Sequence, residues 1–249
     1  MANREIQTDS VKITNGNLEI PAYLAMPVGV ESAPGIVVLQ EIFGVNSHIR
    51  DVTERFAKEG YVAIAPALFH RQAPGFETGY TPEDIQVGKE YKAQTKAEEL
   101  LGDIKASIDY LISQTPAKAD VIGCIGFCFG GHVAYLAATL PDIAAVASFY
   151  GAGITMMTPG GGEPTITRTK DIKGGKTLYA FFGMDDASIP AEQVDQIEDA
   201  LNEHQVLHRI FRYEGADHGF FCDQRASYNK AAAFDAWDQV KHLFRQELR

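Results

Sequence analysis

Hydrophobic and polar positions follow two periods along this chain. In "VKITNGNLEIPAYLAMP" (11–27) two stretches flank Asn-Gly, a pair that favours a tight hairpin turn, and they predict two antiparallel strands. "GIVVLQ" (35–40) is an unbroken apolar run, as expected of a strand buried on both faces. "SHIRDVTERFAKEG" (47–60) changes to helical spacing: Ile49, Val52 and Phe56 share a face, Ser47 can cap the start and Gly60 marks the stop. "YVAIAPAL" (61–68) predicts the next strand. An amphipathic helix follows near 91–114, with Ala97, Leu101, Ile104, Ile108 and Leu111 on one stripe. Beyond it the pattern predicts strands at 120–126, 144–150, 177–182 and 207–213, and helices at 129–140, 190–204 and 227–247.

Strands alternating with helices imply the α/β class: a mostly parallel central sheet with an N-terminal antiparallel hairpin and helices on both faces. No repeat or linker divides residues 1–249, so a single domain is expected. Two connections are long, 70–90 and 155–175, and both are expected to be loops with a functional or mobile role. Gly160, Gly161 and Gly162 read as a flexible surface loop. A phosphate cradle would need a following Lys-Ser/Thr and a place between strand and helix.

Composition narrows the partners. Hydrophobic content of 45% and charged content of 22% are ordinary for a globular protein, and 249 residues can bury a sizeable core. A net charge of −11 argues against sequence-independent binding to nucleic acid or to an anionic membrane. "MANREIQTDS" shows no apolar segment of a secretion signal, and the apolar run at 143–154 is too short to span a bilayer. Cys124, Cys128 and Cys222 form no dense spacing pattern, so free thiols and a cytoplasmic location are expected.

The chemistry concentrates in "VIGCIGFCFGGHVAYLAATL" (121–140). A β-branched run leads into G-x-C-x-G and then a helix, the strand–turn–helix setting of a nucleophile elbow with cysteine in place of serine. The turn needs glycine at 126 and 130. The helix N-terminus would favour a thiolate at Cys128, and the Phe129 N–H would face a developing oxyanion. Cys124, inside the strand, reads as buried filler. A nucleophile needs a base and an orienting acid, which follow it in this chain order. Asp185 and Asp186 follow one predicted strand, and His218 follows the last. His48 and His242 fall on predicted helices and read as surface residues, His132 as packing, and His70 as a residue that could line the site. His204 and His208 straddle a helix end and a strand without a third ligand, so no metal site is expected there.

These segments resemble the dienelactone hydrolase (carboxymethylenebutenolidase) family, of the α/β-hydrolase fold. The matching residues are "LQEIFGVN" (39–46), "RQAPG" (71–75), "GFCFGG" (126–131), "GMDDASIP" (183–190) and "GADHGF" (215–220). The resemblance implies hydrolysis of a small-molecule ester or lactone through a thioester on Cys128, with no metal or organic cofactor and a monomeric enzyme. It implies His218 as base and Asp186, by its spacing to Pro190, as the acid. Glu41 matches an extra carboxylate that holds the resting thiol neutral and takes its proton when substrate arrives. The Ile42 N–H would join that of Phe129 in the oxyanion hole. Arg71 and Tyr91 match substrate-contacting positions. The family's two carboxylate-binding arginines are replaced by Val87 and Cys222, with Lys89 and Arg225 nearby, which points to a different, neutral ester or lactone. Two other readings stand beside this one: a redox-responsive thiol at Cys128, and a binding module that has lost activity.

Overall fold

In a computed structural model, which describes residues 4–249, eight strands form one sheet. The first three residues of the "MANREIQTDS" stretch lie outside the described residues. Strands β1 (Ile6–Asn15) and β2 (Leu18–Pro27) form the antiparallel hairpin, in a register that pairs Ile13 with Ile20, both fully buried. They are followed by β3 (Ala33–Leu39), β4 (Val62–Pro66), β5 (Ala117–Phe127), β6 (Ile143–Phe149), β7 (Thr177–Gly183) and β8 (Leu207–Tyr213). The order across the sheet is β1-β2-β4-β3-β5-β6-β7-β8; β2 meets β4 antiparallel, and the strands from β4 to β8 run parallel. The continuous apolar runs of β3 and β4 are explained by burial on both faces, since helices cover each side.

The helices are α1 (Ser47–Glu59), α2 (Pro82–Ala93), α3 (Ala97–Gln114), α4 (Phe129–Ala137), α5 (Ala191–Glu203) and α6 (Lys230–Glu247). Helices α1 and α6 share one face, where Phe56 and Phe244 pack with ring centroids 5.7 Å apart. Helices α3 and α4 pack together on the other. Among the described residues, no helix is long and apolar enough to cross a membrane.

Three expectations need correction. Asn46, not Ser47, caps α1: its Oδ1 accepts from the Ile49 N–H, while Ser47 Oγ donates to Gln224. The helix near 91–114 is two helices broken at Gln94–Lys96, and the segment 70–90 is not all loop because α2 begins at Pro82. Gly88 alone is buried along α2, so the helix carries no apolar stripe to reveal it. Its start was nevertheless written in the chain, as a capping box between Thr81 and Asp84 with proline in the first turn. The third concerns 155–175, which contains a 3₁₀ helix at Thr165–Asp171.

One feature of the sheet positions the site. Phe127, Phe149, Phe181 and Phe211 stand in register across four neighbouring parallel strands. Adjacent centroids are 4.9, 4.3 and 4.8 Å apart. This row lies at the C-terminal ends of the strands, where ligand sites of open α/β sheets form, and gives them a stiff apolar floor.

Candidate active site

Cys128 follows the last residue of β5 and precedes the first of α4. Its backbone lies at φ 54°, ψ −115°, a conformation rarely adopted by a residue with a side chain. Two close approaches hold it there. A Cβ on Gly126 would collide with the Gly130 carbonyl, and a Cβ on Gly130 would collide with the carbonyls of Leu39 and Gln40. The Cys128 N–H donates to Phe149 O over 3.0 Å, which ties the turn to β6. Cys128 is partly exposed, whereas Cys124 and Cys222 are buried. Burial pushes Cys124 far above the usual thiol range, so it is inert.

His218 and Asp186 meet across the tops of β7 and β8. His218 Nδ1 lies 2.6 Å from Asp186 Oδ2, and Asp186 Oδ1 accepts from the Ser188 N–H over 2.8 Å. Asp186 is buried and Asp185 is exposed, and it is Asp186 that pairs with His218. Burial opposes a charge on His218, but the neighbouring Cys128 sulfur and the Asp186 carboxylate outweigh it and push the ring up to about 10.

Glu41 lies just beyond β3 with its side chain 1% exposed. Burial raises it above the usual carboxylate range, while Arg225 and, more weakly, His218 work against that rise. Arg225 Nη1 donates to Glu41 Oε1 over 2.9 Å, whereas Glu41 Oε2 has no hydrogen-bond partner among the described residues. The Gln40 side chain fixes this segment from behind, donating to the Glu41 carbonyl and accepting from the Leu68 N–H. Ile42 and Phe129, the expected oxyanion donors, flank the site and are buried. Helix α2 presses on Ile42 through Gly88, where a Cβ would strike the Ile42 carbonyl.

The structure separates the expected substrate-contacting residues. Tyr91 joins Phe69 and Phe76, with centroids 6.1 and 4.8 Å away, and Phe69 stacks on Phe129 at 5.3 Å. Lys89 and Val87 are exposed on α2, on either side of Gly88. Arg71 spends its guanidinium on the buried Asp103, to which Nη2 donates over 2.7 Å. Arg225 alone of the four ion-pairs with Glu41, and it lies over the rings of Phe43 and Tyr80.

Two residues at the site escaped the sequence. His48 is not a surface residue: it is fully buried, edge-on to Phe127 and Phe221, and burial together with Arg55 and Arg225 lowers it to about 3. Tyr150 is fully buried at φ 35°, with its ring 5.2 Å from that of His218. Its place, right after β6, was the available signal, because side chains at the C-terminal ends of parallel strands line such sites. His132, by contrast, is buried and bonds Ala152 O and Thr165 Oγ1.

A sheet of this order with a strained strand–turn–helix elbow after β5 and a histidine–aspartate pair after later strands defines the α/β-hydrolase fold. The dienelactone hydrolase family model matches residues 20–248, and the chain belongs to that family. A Synechocystis protein described as "Putative carboxymethylenebutenolidase" is 60% identical over 245 residues, covering 98% of this chain and 99% of its own. A Bradyrhizobium protein described as "Probable 2-oxo-3-(5-oxofuran-2-ylidene)propanoate lactonase" is 31% identical, covering 100% and 98%. The crystal structure of a protein described as "Putative Dienelactone Hydrolase" from Klebsiella pneumoniae superposes with a TM-score of 0.88 at 31% identity, covering 97% of this chain and 99% of that one.

Proposed function

We propose that this protein hydrolyses carboxylic ester or lactone bonds through a thioester on Cys128. The observation that carries the proposal is the 2.6 Å pairing of His218 with Asp186 beside a cysteine held in the strained elbow conformation. Family membership supports the same reaction class.

Cys128 gives its thiol proton to the free Oε2 of Glu41, a carboxylate whose affinity for protons is raised by burial. The sulfur attacks the carbonyl carbon, and the N–H groups of Phe129 and Ile42 hold the oxyanion. Collapse breaks the bond to the leaving oxygen, which departs as alcohol or enol with the proton from Glu41. His218 is the neutral base at this stage, because the Cys128 sulfur favours its imidazolium only while charged and the acylated sulfur carries no charge. His218 can then take a proton from water, with Asp186 holding the ring. Hydroxide adds to the thioester, and the tetrahedral intermediate collapses to the acid and Cys128, whose departing sulfur takes back the proton that His218 held.

The preferred substrate is an ester or lactone with a neutral acyl group. Val87 and Lys89 are exposed on α2, Cys222 carries no charge to bind a carboxylate, and the Arg225 guanidinium is committed to Glu41. The test is initial hydrolysis rate on dienelactone, p-nitrophenyl acetate and a neutral lactone, with wild type and Cys128→Ala. The expected result is turnover by wild type alone, fastest on the neutral substrates. Equal rates with both proteins would remove Cys128 from the reaction. Oxidation of Cys128 without any turnover would favour a redox thiol instead.

A further inference from the structure

Behind the catalytic face, Glu41 takes part in a second cluster. One donor atom each from Glu41, His48 and Cys222 lies within 4.8 Å of the others, and the three residues are 1%, 0% and 0% exposed. They come from separate segments: Glu41 beyond β3, His48 in the first turn of α1 and Cys222 in the connection after β8. Three atoms in the cluster have no hydrogen-bond partner among the described residues: Glu41 Oε2, His48 Nδ1 and His48 Nε2. Buried polar atoms left unpaired bear their full desolvation penalty, and two of the three residues that bring donor atoms within 4.8 Å of one another carry such atoms, so the cluster calls for an occupant.

We propose that Glu41, His48 and Cys222 bind one thiophilic divalent cation, of the Zn²⁺ and Cd²⁺ class. A mixed sulfur, nitrogen and oxygen set suits such ions, whereas Mg²⁺ and Ca²⁺ take oxygen ligands. Ligand atoms in a tetrahedral zinc site stand roughly 3.3–3.8 Å apart, so the cluster has to close by about one ångström, with water as fourth ligand. On binding, the Cys222 S–H bond breaks, its proton leaves to solvent and a sulfur–metal bond forms. Nothing is oxidised or reduced. The Tyr80 hydroxyl, 3.4 Å from Cys222 Sγ, accepts a hydrogen bond from the thiol and can turn to donate to the thiolate.

Arg225 works against any cation here, because its guanidinium sits on Glu41 Oε1. It leaves Oε2 free, and a thiolate with a carboxylate supplies two negative charges. The site therefore selects a metal that bonds sulfur over one held by charge alone. A bound cation would occupy Glu41 Oε2 and stop hydrolysis. That consequence rests on the role proposed for Glu41, whereas metal binding does not.

The experiment is Cd²⁺ titration of the full chain carrying Cys128→Ala, which removes the solvent-accessible thiol, read by sulfur-to-metal charge-transfer absorbance. One Cd²⁺ per chain is expected. The band should vanish when Cys222→Ser is added. His48→Gln in the same background keeps Cys222 and should weaken binding beyond the roughly 10–100-fold cost of losing an outer-shell partner. No band with Cys128→Ala, or an undiminished band with Cys222→Ser, overturns the site. In otherwise unmodified enzyme, Zn²⁺ should block ester hydrolysis until a chelator is added. Binding without inhibition would support the site and overturn the role of Glu41 instead.

Discussion

Arg225 Nη1 holds Glu41 Oε1 at 2.9 Å, although the two residues are 184 positions apart in the chain. The contact joins the loop after β3 to the loop after β8. Arg225 also opposes the burial that raises Glu41. In Arg225→Gln that opposition is lost, so Glu41 should rise further above the usual carboxylate range. A proton acceptor must be ionised, so the acidic limb of the kcat/KM profile should move to higher pH. Below the new limb, activity falls about tenfold per pH unit. A limb that stays in place would exclude Glu41 as the acceptor.

Gly219 makes that ion pair possible. Its φ is 83°, and a Cβ there would overlap the Arg225 guanidinium. Gly219→Ala should therefore reproduce part of the Arg225→Gln shift while leaving the arginine in the chain. It should also cost about 1 kcal/mol or more of stability from backbone strain. Thermal melting and the pH profile measure the two effects separately.

Asp186→Asn keeps the size of the acid but changes what it offers His218 Nδ1. With the imidazole in the wrong tautomer, kcat should fall by as much as about 10⁴, as it does in a serine protease altered in this way. The fold should persist, since the Ser188 N–H can still be accepted by the amide oxygen. Pre-steady-state mixing with p-nitrophenyl acetate, at a concentration that saturates wild type, should show deacylation slowed. A variant with wild-type kcat would remove Asp186 from the mechanism.

Most of the fold was legible because buried parallel strands and one-sided helices leave strong periodic traces, as in "GIVVLQ" and the Ile49–Val52–Phe56 face. Helix α2 left none, because Gly88 is its one buried residue and Ile85 and Tyr91, which also pack on the body, are only partly buried and form no continuous apolar stripe. Within the site, local signals were the easiest to read. The elbow needs glycines at fixed offsets, and the resemblance to the family's motif, counted to Pro190, separated Asp186 from Asp185. Residues that reach the site through long-range packing were harder to read. His48 lies in the first turn of α1, and rings from two distant segments, Phe127 and Phe221, pack against it. Arg71 sits in a matching motif, yet its guanidinium is drawn to Asp103, a partner that sequence spacing does not reveal.

That contact makes a different prediction for Arg71. Asp103 is fully buried, and besides Arg71 it accepts from Asn15 Nδ2 over 2.8 Å. Removing the arginine strands a buried carboxylate, which typically costs about 3–5 kcal/mol. Arg71→Ala should therefore lower the denaturant midpoint more than it changes KM. Pairing it with Asp103→Leu should restore much of the stability, because the orphaned charge is gone. A large rise in KM at unchanged stability would return Arg71 to substrate contact.

His48 ties stability to acid. An unfolded histidine takes a proton near 6.5, whereas burial, with Arg55 and Arg225 adding to it, lowers the folded His48 to about 3. Between those values the unfolded chain binds more protons, so stability is full above about 6.5 and is lost as pH falls toward 3. The slope contributed by this one group is at most about 1.4 kcal/mol per pH unit. His132, buried and lowered to about 4, adds to the same window. His48→Phe keeps an aromatic ring between Phe127 and Phe221 but has no proton to bind. Urea unfolding of this variant at a series of pH values should give a shallower loss of stability across the window, the remainder coming from His132, His70 and the carboxylates lowered by the fold, among them Glu77 and Asp84. If its curve runs parallel to that of wild type, His48 is not held neutral by the fold.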